Sequence, residues 1–124
     1  MRLIFALTIL LAFSSCRSAD PNSRPVEHLV FCWLNQPGNE AGRQRLIATA
    51  KELADLPGVL SVRAGTAVPS ERPIVDASFD VGIAIRFDSV ASMQAYLTHP
   101  RHQEAVKTVL KPLTRKVLVY DIVE

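Results

Sequence analysis

Cysteine is scarce in this chain: 124 residues carry two, Cys16 and Cys32. So small a set excludes a disulfide scaffold, and the fold must rest on its apolar core. Long apolar runs are missing too. The longest is Leu3 to Phe13, 11 residues, where a bilayer span needs about 20. Charge of one sign does not accumulate. Lys and Arg number 14 against 12 Asp and Glu, a formal net charge of +2 with no basic run, so the electrostatic footprint of a nucleic-acid binder is absent. Gly38 and Gly42 form no phosphate-binding pattern, and there is no Gly-x-Ser-x-Gly nucleophile motif. No internal repeat or low-complexity tract interrupts what reads as one domain of ordinary size.

What is present begins with the apolar run itself. One positive charge, Arg2, precedes it, and Phe13-Ser14-Ser15-Cys16 follows. That is the length of a signal-peptide core. The small residues ahead of Cys16 are similar to the lipobox of bacterial lipoproteins, in which the cysteine is acylated and becomes the mature N-terminus. The expectation is a signal peptide over 1–15, a lipidated Cys16, a polar proline-bearing tether to residue 25, and a folded domain over 26–124. It places the protein in a bacterial cell envelope, held to a membrane through Cys16 and facing the periplasm or the exterior. Cys32 is then left without an intrachain partner, and among Val30, Phe31, Trp33 and Leu34 it reads as a small buried hydrophobe.

Periodicity divides the domain. Glu27 to Leu34 reads as a strand with His28, Val30, Cys32 and Leu34 on one face and Leu29, Phe31 and Trp33 on the other. Both faces are largely apolar, as in a strand covered on both sides. A helix over about Asn39 to Leu56 follows a turn and stops at Pro57-Gly58. Val59 to Val68 reads as a second strand and Ser78 to Phe87 as a third. In the third, Phe79, Val81, Ile83, Ile85 and Phe87 alternate with Asp80, Gly82, Ala84 and Arg86. The apolar set is expected under helices, and the small residues of the other set leave room for a partner sheet or a ligand. Asp88 or Ser89 caps a second helix that ends before Pro100. A short helix over about Arg101 to Leu110 is broken by Lys111-Pro112, and Arg115 to Val123 is the last strand. The order β-α-β-β-α-(α)-β is the split βαβ, or ferredoxin-like, arrangement: an α+β fold with helices on one face of an antiparallel sheet. The uncovered face is too apolar to meet water, so a homodimer is expected.

Chemistry concentrates in Tyr96-Leu97-Thr98-His99-Pro100-Arg101-His102. Imidazole exchanges protons near neutral pH, and a phenol donates a hydrogen bond from an apolar ring. A neutral His102 can take a proton alpha to a carbonyl while Tyr96 donates to the developing oxyanion. The alternative is structural: Tyr96 packs on its helix and His102 bonds the connection. His99 and His102 lie three apart, but Pro100 stands between them and no carboxylate or thiol completes a ligand set, so no metal is expected. No cofactor is expected either. His28 faces the apolar side of its strand, as a core, interface or ligand-lining residue.

In this order and spacing, His28-Leu29-Val30-Phe31, Leu56-Pro57-Gly58-Val59, Gly65, Phe87-Asp88-Ser89, Ala95 through His102, and Val119-Tyr120-Asp121 resemble the stress-responsive α/β-barrel family, also called the Dabb or dimeric α/β-barrel domain. The resemblance covers nearly all of 27–123. It implies a ferredoxin-like protomer and a homodimer closing into a barrel. Some members are polyketide cyclases, whose catalytic tyrosine and second histidine fall on Tyr96 and His102 here, and whose strand-one histidine falls on His28. Those cyclases carry a further histidine on the third strand, where this chain has Asp80. Many members have no assigned activity.

Three readings stand on the sequence. One is a tethered, non-catalytic domain binding a small apolar ligand in a cleft between sheet and helices, with His28, Asp80, Tyr96, His99 and His102 as the lining. Another is an acid–base enzyme of cyclase, isomerase or monooxygenase type working through Tyr96 and His102. The third is a structural, stress-associated envelope component.

Overall fold

The computed structural model describes residues 23–124. The expected signal peptide, Cys16 and most of the expected tether lie outside the described residues. Strand β1 (Val26–Leu34) leads into α1 (Glu40–Lys51), β2 (Val59–Gly65), β3 (Val81–Phe87), α2 (Val90–Thr98) and α3 (Pro100–Ala105). A π-helical turn (Val106–Leu110) and a last helical turn, α4 (Lys111–Leu113), run into β4 (Thr114–Val123). The strands form one antiparallel sheet in the order β2-β3-β1-β4. The sheet order and the helices on one face are those of the ferredoxin-like α+β fold expected from the sequence. Among the described residues no helix is long and apolar enough to cross a membrane.

Packing follows the alternation of β1. Val26, Val30, Cys32 and Leu34 are buried on the helix side with Val81, Ile85 and Phe87 of β3, beneath Leu46 and Leu53 of the α1 region and Met93 and Tyr96 of α2. Asn39 caps α1 by accepting from the Gly42 amide, and Ser89 caps α2 by accepting from the Ser92 amide. Gly58 has φ +79°, and a Cβ there would come within 2.3 Å of Ser92, so only glycine lets this turn pass so close to α2.

Helix α1 ends at Lys51 rather than near Leu56. The chain beyond it tightens into turns with i to i−3 bonds, such as Leu53 N to Ala50 O at 3.2 Å, before Pro57 and Gly58 redirect it. The short helix also departs from expectation. Pro112 does not break it but sits inside the last turn. Proline has no N–H to give the Thr108 carbonyl and its ring crowds that position. The helix widens instead, and the Lys111 amide reaches back five residues to Val106 O.

The second and third strands are shorter than their sequence patterns. β2 stops at Gly65 and β3 starts at Val81, and residues 66–80 form an arm between them. Alternation breaks at Asp80. Phe79 therefore lies on the open face against Phe31, ring centroids 5.0 Å apart, and not under the helices with Val81. Asp80 is 5 % exposed and is not on the open face with Gly82 and Ala84. Its carboxylate accepts from the Leu34 amide at 2.9 Å, the Gly38 amide at 3.2 Å and Arg43 Nη2 at 3.1 Å. A buried carboxylate is tolerated only with such partners, and these fix the turn between β1 and α1.

Candidate functional site

Between the sheet and the helices lies a cavity of about 70 Å³. Val30, Ile83 and Ile85 form its floor, Leu46 and Leu53 one wall, and Ala105, Val106 and Val109 the other. The π-helical turn contributes to that wall, so the widening imposed by Pro112 shapes the cavity directly. Among the lining side chains only His28, Thr49 and His102 carry polar atoms. Liquid water takes roughly 30 Å³ per molecule, so the space suits a ligand of a few heavy atoms.

His28 comes from the middle of β1, where the alternation that buries Val30 and Cys32 turns it under the helices. It is directly opposite Asp121 on β4, and its Nδ1 meets the Asp121 carboxylate at 2.5 Å. An ionised carboxylate only accepts, so Nδ1 carries the proton and Nε2 is the nitrogen left to a ligand. The His28 side chain is 7 % exposed and that of Asp121 is 43 % exposed, so the pair connects the interior to the rim along β4.

His102 lies in the first turn of α3. Its Nδ1 donates to the Leu97 carbonyl at 3.1 Å, one of the acceptors released where α2 ends. Here too Nε2 is the nitrogen left to a ligand. Burial pushes the imidazole below its ordinary pKa, against the Leu97 carbonyl, which raises it; His28 and His99 lower it further. His102 is therefore a neutral base at neutral pH. Tyr96 packs against it with the rings tilted by 47°, centroids 4.7 Å apart, and meets Phe87 edge-on at 5.0 Å. Burial raises the Tyr96 phenol to about 12, which keeps it a proton donor.

The five ligand residues expected from sequence do not all meet. His28 and His102 line the cavity, and Tyr96 supports His102 from behind without reaching the lining. His99 caps α3, its Nδ1 accepting from the Arg101 amide at 3.2 Å. Asp80 lies in the turn anchor described above. Burial pushes its carboxyl up, and the Leu34 and Gly38 amides with Arg43 more than offset this, holding it below the usual carboxylate range. A polar residue missed by sequence reasoning, beside Thr49 of the lining, is Asp121. Its signal was a carboxylate on the apolar face of the last strand, visible once β4 is paired with β1. Among the described residues no group of three or more His, Cys, Asp or Glu could hold a metal ion. Burial lifts the Cys32 thiol to about 11, so it is protonated and inert at neutral pH.

Solved structures share this fold. A Dabb family protein with a ferredoxin-like fold from Mesorhizobium loti is 24% identical, with 82% of this chain and 97% of that one aligned at a TM-score of 0.67. The hydroxynitrile lyase of Passiflora edulis is 20% identical, covering 82% and 94%, at a TM-score of 0.70. A dimeric ferredoxin-like protein of unknown function from Thermobifida fusca is 16% identical, covering 82% and 92%, at a TM-score of 0.66. No curated protein matches the chain in sequence. The profile of the stress responsive A/B barrel domain matches residues 26–124, and the chain is a member of that family.

Proposed function

We propose that this protein is a membrane-tethered, homodimeric binding domain that takes a small, mostly apolar molecule in the cleft between sheet and helices. The observation that carries the reading is the lining. A mostly apolar cavity, with Thr49 as its other polar side chain, holds two imidazoles, His28 and His102, each with Nδ1 already engaged and Nε2 left to a ligand. Such a lining favours a neutral molecule with one hydrogen-bonding group, because a charged ligand would lose its hydration there without a counter-charge. The sequence signals at Arg2 and Cys16 support the tether. The apolar open face and the dimeric relative from Thermobifida fusca support the dimer.

Native mass spectrometry of the full chain in mild detergent, after exposure to an extract of its own cells, tests the ligand. A small molecule retained by the native chain and lost in His28→Ala and His102→Ala is the expected result. An empty protein in all three would leave only the structural role.

The second reading is acid–base catalysis, and the His28–Asp121 pair favours it, since a carboxylate on Nδ1 fixes the tautomer that makes Nε2 a base. The hydroxynitrile lyase of Passiflora edulis carries an activity on this fold. In this reading His102 is a second base, and Tyr96 packs behind its ring. Turnover of the retained molecule that falls at least about tenfold in Asp121→Asn would support it. Binding without turnover would limit the site to binding.

A further inference from the structure

A second depression lies directly outside the cavity. It is a groove of about 240 Å³ between α1 and the α3–π-helical segment, and Thr49, Leu53, Ala105 and Val109 line both spaces. The partition is therefore one side chain thick. Of the four, only Leu53 stands outside a helix, in the turns that follow the end of α1. One side chain holds those turns in place. Arg101 of α3 reaches across the groove and donates from Nη2 to the Glu52 carbonyl at 2.6 Å and from Nη1 to the Asp55 carboxylate at 2.9 Å. Among the described residues no other hydrogen bond or ion pair joins the α1 region to α3 or the π-helical turn.

We infer that a ligand reaches the cavity through this groove, with Leu53 as the wall that moves and Arg101 as the latch that holds it. This rests on the cavity being the binding space, as proposed above. The latch is easily released. The side chains of Arg101 and Asp55 are 48 % and 72 % exposed, and ion pairs in that setting contribute little. Release buries no charge and frees only the turns beyond α1, a local opening that a folded domain makes without unfolding. At the rim Arg45 and Arg101 stand against Glu52 and Glu104, so the charges balance and the neutral molecule favoured by the lining meets no barrier of one sign.

The other flank of the cavity is less fit for passage. A depression of about 300 Å³ beside α3 shares only His102 and Val106 with the cavity. His102 is pinned there by its bond to the Leu97 carbonyl and by the Tyr96 ring, and Val106 belongs to the π-helical turn. Lys107 and Lys111 line that depression with no carboxylate among its residues. It therefore draws anions, which the apolar interior does not admit.

A thiol on the cavity floor reports the opening. Val30→Cys changes little in size, and the full chain carrying it is exposed in mild detergent to methyl methanethiosulfonate. The introduced thiolate takes the reagent's thiomethyl group as a disulfide, and methanesulfinate leaves. Peptide mass spectrometry follows that site beside Cys32, which is fully buried and monitors global unfolding. No cavity ligand takes part, so the result is separate from that of ligand retention. Arg101→Gln is expected to speed modification of the introduced thiol about fivefold and to leave Cys32 unchanged. Thr108→Trp, at an exposed position on the groove, is expected to slow it about fivefold. An introduced thiol that reacts only as fast as Cys32 overturns the opening. Arg101→Gln that speeds both thiols together, or neither, overturns the latch. Slowing by Gln103→Trp, on the other flank, in place of Thr108→Trp overturns the route.

Discussion

On β1 the even-numbered residues from His28 to Leu34 turn under the helices, and Leu29, Phe31 and Trp33 turn away from them. The two sets alternate along one strand and serve different ends. The covered set brings an imidazole to a carboxylate across a strand pair and floors a cavity. The open set supplies rings and aliphatic chains with no titratable group among them. The same contrast runs along β4, where Asp121 faces the helix side and Tyr120 and Ile122 the open side. A strand can thus carry a polar pair on one face and an apolar surface on the other, one residue apart, because its side chains point to opposite faces in turn.

The largest effect that can break this contrast is on the covered side. Phe87 is fully buried against Tyr96, and Phe87→Ala should cost about 3–5 kcal/mol in denaturant unfolding. A cost below about 1 kcal/mol would mean the helix side is not the core. Asp80→Ala should cost about 3 kcal/mol, since two amides and a guanidinium lose their acceptor. Its contribution is present above the unfolded carboxylate pKa of 3.8 and is lost as pH falls through the lower native value, so the variant should show a flatter acid limb. Retention of the cleft ligand by the folded Asp80→Ala chain would sharpen the separation between turn anchor and cavity.

His102 makes a smaller, pH-dependent difference. Its native pKa lies below the ordinary 6.5, so the neutral ring's contribution is complete above that pH and is lost as pH falls through the native value. A stability profile between pH 7 and pH 5 should decline more steeply for the native chain than for His102→Gln. Parallel profiles would show that the ring is not held neutral. Asp121→Asn should change stability by no more than about 1 kcal/mol, because the carboxylate is partly exposed, while weakening ligand retention. Smallest of all, Arg101→Ala removes an exposed pair with Asp55 and should shift stability by less than about 1 kcal/mol.

Much of the fold was legible before any coordinates. The alternation in β1 and β4, the stop at Pro57-Gly58 and the Ser89 cap depend on neighbours a few residues apart, and such local rules can be read along the chain. The start of β3 was not legible, since Phe79 and Asp80 continue a perfect alternating pattern. Only the amides of Leu34 and Gly38, remote in sequence, show why Asp80 leaves the ladder. Pro112 was legible as an obstacle to a helix but not as the cause of a π-helical turn, because the helix was free either to stop or to widen.

The candidate site divides in the same way. The sequence by itself determined that His28 faces the core, that imidazoles and a phenol cluster near Pro100, and that one face of the sheet is left apolar. All three follow from side-chain period and composition. The tertiary structure decided which of those groups meet. It joined His28 to Asp121 across 93 residues, packed Tyr96 behind His102, and used His99 and Asp80 for caps and turns. Distances between side chains are set by strand register and helix docking, and neither is written in the spacing of residues along the chain.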